Sequence, residues 1–151
     1  MKDCPARLIN FPESLEDQRT YIIFGMVRSG TSMMAGLLWR IGIDMGNHDT
    51  GQYEDWDFNL RSLKKKGEGI SEYKKNICVN NKEKEIWGWK DPLFANYAFE
   101  LIEVIRNPYF IVVFRDPFAI TERLKLDDDK DLLTSMHRTI GVQKKCMDLI
   151  E

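Results

Sequence analysis

Y-I-I-F-G-M-V-R-S-G-T-S-M-M, residues 21–34, is the most informative stretch of the chain. It opens with an apolar run, breaks at Gly25, crosses a short loop that contains Arg28, and resumes as a helical pattern after Gly30. A buried strand, a tight loop and a helix in this order can bind an anion, because the loop N–H groups and the helix N-terminus face the same point. We therefore predict an anion-binding loop between the first strand and the first helix.

The spacing of this loop is similar to that of the Walker A loop, G-x-x-x-x-G-K-[ST], but its cation is displaced. Gly25 and Gly30 are spaced as that pattern requires, whereas Thr31 occupies the lysine position and the cation is Arg28. ATPases and GTPases place the lysine on the nucleotide phosphates and a hydroxyl on Mg²⁺. The loop therefore favours an anion that binds without a nucleoside triphosphate–metal complex. The alternative is a plain strand–turn–helix unit with a surface arginine.

The composition is that of one globular domain. The 151 residues are 43% hydrophobic and carry a net charge of −2, which argues against a protein that coats nucleic acid. The apolar runs are too short to span a bilayer, and the first residues lack the apolar core of a signal peptide. The three cysteines and two histidines are too scattered for a disulfide framework or a metal site. We expect a cytoplasmic protein with no metal and no membrane span.

Apolar runs alternate with helical patterns, which predicts a three-layer α/β/α, P-loop-like domain with a mostly parallel sheet. The domain covers residues 1–151, with a polar lead-in segment at residues 1–19. Strands are predicted at Thr20–Phe24, Glu85–Asp91 and Tyr109–Asp116. Helices are predicted at Ser29–Ile41, Glu54–Lys65, Pro92–Arg106, Pro117–Leu126 and Asp131–Glu151, with a partly helical stretch at Gly67–Lys84.

Two later segments share one design. E-I-W-G-W-K-D-P (85–92) and Y-F-I-V-V-F-R-D-P (109–117) each end a β-type run in a basic residue followed by Asp-Pro. A helix start explains the Asp-Pro pairs, but not the preceding Lys90 and Arg115. Ligands of parallel α/β sheets bind beyond the carboxyl ends of the strands. We therefore expect both cations to converge with Arg28 on a ligand that carries several negative charges.

These motifs together resemble the sulfotransferase superfamily, which transfers a sulfuryl group from 3′-phosphoadenosine 5′-phosphosulfate (PAPS). G-M-V-R-S-G-T-S (25–32) resembles the 5′-phosphosulfate loop of tyrosylprotein and many bacterial members. W-G-W-K-D-P (87–92) resembles their K-D-P segment, and F-I-V-V-F-R-D-P (110–117) resembles the strand and arginine of the 3′-phosphate site. G-Q-Y-E-D-W-D-F-N-L (51–60) resembles the G-x-[FY]-E-D stretch of bacterial members. The matches are spread over residues 21–123.

The resemblance implies a role for each matching residue. Arg28 would hold the transferring sulfuryl group and its bridging oxygen, and Lys90 would assist beside it. Glu54 would be the base for an acceptor hydroxyl, with Asp49 or His48 as substitutes. The nucleotide would be bound at its 5′-phosphate by Ser29, Gly30, Thr31 and Ser32, and at its 3′-phosphate by Arg115, with Arg123 nearby.

Two features depart from the family pattern. The family usually has a serine eight residues after the 3′-phosphate arginine, where this chain has Arg123, whose guanidinium can also bind phosphate. The sequence also ends where the family continues into a glycine- and basic-rich loop over the 3′-phosphate. A fragment, a minimal variant and a binding-only remnant are all compatible with this sequence.

Three functions follow as hypotheses. The first is a PAPS-dependent sulfotransferase that acts on a hydroxyl or amine of a small-molecule, glycan or peptide acceptor. Such chemistry needs cations at the bridging oxygen and one base, but no metal. The second is a P-loop nucleotide kinase or NTPase, against which the missing lysine after Gly30 argues. The third is a non-catalytic binder of PAPS or of its product 3′-phosphoadenosine 5′-phosphate (PAP). Glu54 has a structural alternative too, as a carboxylate at a helix N-terminus.

Overall fold

A three-stranded parallel sheet forms the centre of the protein. The computed structural model describes residues 18–47, 51–65, 67–127 and 131–150; His48, Asp49 and nearly all of the lead-in segment lie outside these ranges. The strands are β1 (Arg19–Gly25), β2 (Ile86–Lys90) and β3 (Pro108–Val113), in the order β2-β1-β3. The predicted α/β class and parallel sheet are confirmed.

The register of the sheet brings the carboxyl ends of all three strands to one edge. Ile23 of β1 pairs with Lys90, the last residue of β2, and Gly25 pairs with Val113, the last residue of β3. Gly88 allows β2 to approach β1, because a Cβ atom at this position would lie 2.4 Å from the carbonyl oxygen of Tyr21. The motif residues that follow each strand therefore begin at a common edge.

Six α-helices and three 3₁₀ turns connect and cover the strands in the described part of the chain. The 3₁₀ turns are Trp56–Phe58, Phe94–Asn96 and Ile102–Val104. The helices are α1 (Thr31–Arg40), α2 (Leu60–Lys65), α3 (Ile70–Glu83), α4 (Ala98–Leu101), α5 (Pro117–Asp127) and α6 (Leu132–Asp148).

Apolar side chains pack on both faces of the sheet. Alternate residues of a strand point to opposite faces, and β1 contributes Ile22 and Phe24 to one cluster and Ile23 to another. The first and larger cluster also contains the tryptophans of β2 and residues of α3 and α6. The second cluster packs β1 against α1. Burial on both sides explains the unbroken apolar run at residues 21–24 of β1.

The predicted helix Glu54–Lys65 is wrong as a continuous element. A 3₁₀ turn ends at Phe58, Asn59 is extended, and α2 begins at Leu60. Two capping side chains cause the division. The carboxylate of Asp55 accepts the N–H of Asp57 at 3.0 Å, and the side-chain oxygen of Asn59 accepts the N–H of Arg61 at 3.1 Å. Each therefore starts its own short element.

The predicted helix Pro92–Arg106 is also wrong. This segment forms the two 3₁₀ turns at 94–96 and 102–104 with only α4 between them, and the backbone breaks at Tyr97 (φ −143°, ψ 17°). The break lets the Tyr97 hydroxyl donate to the buried carboxylate of Asp91. Residues six apart on a regular helix point in different directions, so a continuous helix would separate these two groups.

The remaining helices agree with the predictions to within a few residues. Helix α1 begins two residues later than expected, and Gly42 follows it with a positive φ of 95°. Asp116 caps α5 by accepting the N–H of Ala119 at 2.8 Å, and Asp131 caps α6 by accepting the N–H of Thr134 at 3.0 Å. No helix among the described residues has the length and apolar character needed to cross a membrane.

Candidate anion-binding site

The loop between β1 and α1 needs a glycine at its start. Gly25 has a φ of 149°, and a Cβ atom there would lie 2.4 Å from the carbonyl oxygen of Val113 in β3. The chain then turns sharply, with the N–H of Ser29 donating to the carbonyl oxygen of Met26 at 2.9 Å. The start of the loop and strand β3 are consequently in direct contact.

Two left-handed residues shape the loop. Arg28 has a φ of 70° and Gly30 a φ of 112°. This conformation is unfavourable for arginine by roughly 1–2 kcal/mol, and backbone strain of this kind is concentrated at functional sites. Alternation of left-handed and right-handed residues turns successive N–H groups toward one point and forms an anion-binding concavity. Positive φ at Arg28 and Gly30 is compatible with such a concavity, and the anion site itself stays a prediction.

The N-terminus of α1 completes the concavity. Gly30 is the N-cap residue, and no side chain among the described residues caps the helix, so the N–H groups of α1 that precede Met33 depend on solvent or a ligand for an acceptor. The hydroxyl of Ser29 is buried and, among the described residues, has no hydrogen-bond partner. An unpaired buried polar group costs about 1–3 kcal/mol. A bound anion would supply an acceptor for both kinds of donor.

Lys90 reaches this helix start from the neighbouring strand. Its side chain is 3% exposed, and its Nζ atom lies 3.0 Å from Ser32 Oγ and 2.9 Å from Glu54 Oε1. A lysine ammonium has three N–H donors. Ser32 and Glu54 account for two of them, and the described residues supply no acceptor for the third.

Glu54 is held at both carboxylate oxygens. Oε1 pairs with Lys90, and Oε2 accepts a hydrogen bond from the side-chain amide of Asn59 at 3.1 Å. The side chain remains 25% exposed, so a solute can still reach it. Glu54 thus lies beside the helix start, and its carboxylate is held by Lys90 of β2 and by Asn59, the residue that precedes α2.

The neighbour of Glu54, Asp55, anchors the segment to the preceding loop. Its carboxylate is 4% exposed and accepts the N–H groups of Asn47 at 2.8 Å and Asp57 at 3.0 Å. Burial raises the pKa of the Asp55 carboxyl above its ordinary value, and the two N–H donors oppose this shift. Asp55 therefore has a structural task, in contrast to the more accessible Glu54.

Arg115 contacts the loop on its β3 side. Its Nη1 atom donates to the carbonyl oxygen of Arg28 at 3.2 Å, and its own carbonyl oxygen accepts from Gln143 Nε2 of α6 at 2.6 Å. Both arginines are exposed. Arg123 is exposed on α5, and no hydrogen bond or ion pair in the described part of the chain joins it to the loop.

A buried carboxyl group follows Lys90 directly. Asp91 accepts hydrogen bonds from the Tyr97 hydroxyl, from the Tyr73 hydroxyl at 3.3 Å and from the N–H of Leu93 at 2.9 Å. Burial raises its pKa to about 7, and the nearby Glu54 carboxylate acts in the same direction. The aspartate of the K-D-P motif therefore points into the core and starts only a short turn, not the predicted continuous helix.

The structure thus assembles most of the predicted residues around one loop. Lys90 contacts both Ser32 and Glu54, and Arg28 and Arg115 form a second contact. The sequence interpretation missed Asn59, which reads as a polar residue between Phe58 and Leu60 in a helical pattern. It also missed the contact of Gly36 with Tyr53, because a glycine inside a helical pattern carries no signal of its partner.

Comparison with known proteins does not assign the chain to a family. No protein-family model matches it, and no curated protein matches it significantly. Among the described residues there is no group of three or more histidine, cysteine, aspartate or glutamate side chains that could hold a metal ion.

Proposed function

We propose that the protein is a sulfotransferase that moves the sulfuryl group of PAPS to a hydroxyl or amine acceptor. The observation that carries this proposal is the ammonium of Lys90, which lies beside Ser32 at the start of α1 and beside Glu54. It supplies the cation that a Walker A lysine would supply, but from a neighbouring strand. The proposal extends to a P-loop-like α/β/α architecture with helices on both faces of the sheet.

The chain's own groups suit the two ends of such a nucleotide. The loop N–H groups, the unpaired Ser29 hydroxyl and the start of α1 would bind the 5′-phosphosulfate. Arg115, which is anchored to the loop through the carbonyl oxygen of Arg28, would bind the 3′-phosphate. The guanidinium of Arg123 would also suit a phosphate. Arg123 would need to move toward the nucleotide to take part.

The proposed reaction needs only proton transfer and charge stabilisation. Glu54 would accept the proton of the acceptor group as the acceptor oxygen or nitrogen bonds to sulfur. The bond between sulfur and the bridging oxygen breaks, and its electron pair stays on that oxygen. The remaining N–H of Lys90 and the guanidinium of Arg28 would stabilise the charge that develops there, and PAP would leave. Atoms and charges balance without a metal or a redox partner.

Turnover measurements with sulfur-labelled PAPS and a panel of phenols, sugars, amines and peptides test this proposal. We expect transfer by the wild-type protein and a loss of about 10²–10⁴-fold in kcat for Glu54→Gln, smaller at high pH or with acidic acceptors. Asp57→Asn, an exposed carboxylate close in sequence, is the control. Tight PAP binding without turnover on any acceptor would instead favour a non-catalytic nucleotide binder. Full activity of Glu54→Gln would move the base to Asp49 or His48.

A further inference from the structure

We propose that Gly36 of α1 and the ring of Tyr53 form a seat that positions Glu54 against Lys90. The base function of Glu54 rests on the proposed sulfotransferase activity, but the seat itself can be tested without turnover. It would make Tyr53 and Gly36 positioning residues that act through Glu54.

The contact between Gly36 and Tyr53 is close. A Cβ atom at Gly36 would lie 3.1 Å from Cε2, Cζ and Oη of the tyrosine ring. Such a distance is shorter than an ordinary van der Waals contact between carbon atoms. The ring therefore lies against the bare backbone of the helix, and any side chain at Gly36 must displace it.

The backbone of Tyr53 is strained. Its φ is 55°, in the left-handed region that tyrosine rarely adopts. Contacts before and after Glu54 maintain this strain. The Tyr53 ring packs on α1 and beside Trp39, and the centroids of these two rings are 6.3 Å apart. On the other side of Glu54, the carboxylate of Asp55 accepts the N–H of Asn47. Glu54 lies between these two anchors, so its carboxylate has little freedom to leave Lys90.

Helix α1 by itself gives no reason for a glycine at position 36. Glycine inside a helix destabilises it by roughly 0.5–1 kcal/mol relative to alanine. Gly141 of α6 is also inside a helix, but a Cβ atom there would meet nothing within 4 Å. The two glycines therefore differ in their surroundings and form a matched pair: alanine at either position favours the helix, but only alanine at position 36 presses on Tyr53.

The test is a double-mutant cycle between Glu54→Gln and Lys90→Met, measured as midpoints of urea unfolding. The cycle is run in the wild-type, Gly36→Ala, Gly36→Leu and Gly141→Ala backgrounds. We expect the coupling free energy between Glu54 and Lys90 to be equally large in the wild-type and Gly141→Ala proteins. It should be smaller with Gly36→Ala and smallest with Gly36→Leu. Equal coupling in all four backgrounds would overturn the proposal.

A second variant covers the case in which a Gly36 substitution prevents folding. Tyr53→Ala removes the ring and should also reduce the coupling, and Gly36→Ala should then have no further effect on it in the Tyr53→Ala protein. An additive effect would show that the two residues act separately and would contradict the seat.

Kinetics separate this inference from the proposed function. With PAPS as substrate, Gly36→Ala should lower kcat while the Kd for PAP stays near the wild-type value, because the seat acts on the base and not on the loop. If no variant and no wild-type protein turns over but the coupling still depends on Gly36, the sulfotransferase proposal fails and the seat stands. If turnover occurs but the coupling is the same with and without the Gly36 substitutions, the sulfotransferase proposal stands and the seat fails.

Discussion

Lys90 Nζ lies 2.9 Å from Glu54 Oε1. The sequence interpretation gave these two residues separate tasks, one at the leaving group and one at the acceptor. Their ion pair means that the proposed cation and the proposed base orient each other before a ligand arrives. The ammonium also retains a donor for the ligand, since Ser32 and Glu54 use only two of its three N–H groups.

Removing either cation at the bridging oxygen should reduce turnover more than nucleotide binding. We expect Arg28→Ala and Lys90→Met each to lower kcat by about 10²–10³-fold with a much smaller change in the Kd for PAP, because charge develops on the bridging oxygen mainly in the transition state. Lys82→Met, which changes an exposed lysine at the end of α3, is the control. A weaker affinity for PAP with an unchanged kcat would instead assign both cations to ground-state binding.

Arg115 should distinguish nucleotides by their 3′-phosphate. We expect Arg115→Ala to weaken PAP by about tenfold, equivalent to ~1.4 kcal/mol, and to leave AMP almost unchanged, because only PAP carries the phosphate for a charge-assisted contact. The estimate lies at the low end for such contacts because Arg115 is exposed. Calorimetric titrations of both nucleotides measure this, with Arg138→Ala on α6 as the control. Equal weakening of PAP and AMP would show that Arg115 binds another group or only supports the loop.

Asp91 should make the protein less stable as the pH rises from about 4 to about 7. Its folded-state pKa is raised to about 7 by burial, so in this window the folded protein keeps a proton that the unfolded chain has lost. Stability therefore falls with rising pH, by on the order of 4 kcal/mol at most from this group, and levels off above pH 7. The asparagine variant lacks this titration.

Urea unfolding at one-unit pH steps from 4 to 8 measures the difference between wild type and Asp91→Asn. Subtraction of the two curves removes the contribution of the other titrating groups. We expect the wild-type protein to lose stability relative to Asp91→Asn between pH 4 and 7. A constant difference across this range would show that Asp91 has no raised pKa.

Much of the fold could be predicted from local patterns. The apolar run of β1 and the glycines at 25 and 30 specify strand, turn and helix start within fourteen residues, and the Asp116 and Asp131 caps mark helix starts by their own side chains. Asp91-Pro92 carries the same local signal as Asp116-Pro117 but has a different outcome. The buried hydroxyls of Tyr73 and Tyr97 use the Asp91 carboxylate, and these contacts are distant in sequence or require a backbone break.

The candidate site could be predicted in its residue types but not in its contacts. Arg28, Lys90 and Arg115 follow from strand ends in a parallel sheet. The pairing of Lys90 with Glu54 depends on where the segment after Gly51 returns to the sheet. That return is set by the seat of Tyr53 on Gly36 and by the hydrogen bond between Asp55 and Asn47. Such contacts join elements that no local pattern connects.

Calorimetric titrations of the wild-type protein with PAP and with ATP, each in EDTA and in Mg²⁺, test the central claim most directly. We predict that PAP binds at one site with the same Kd in EDTA as in Mg²⁺ and that ATP binds more weakly under both conditions. A strict requirement for Mg²⁺, or tighter binding of ATP than of PAP, would contradict the assignment of this loop to a phosphosulfate nucleotide.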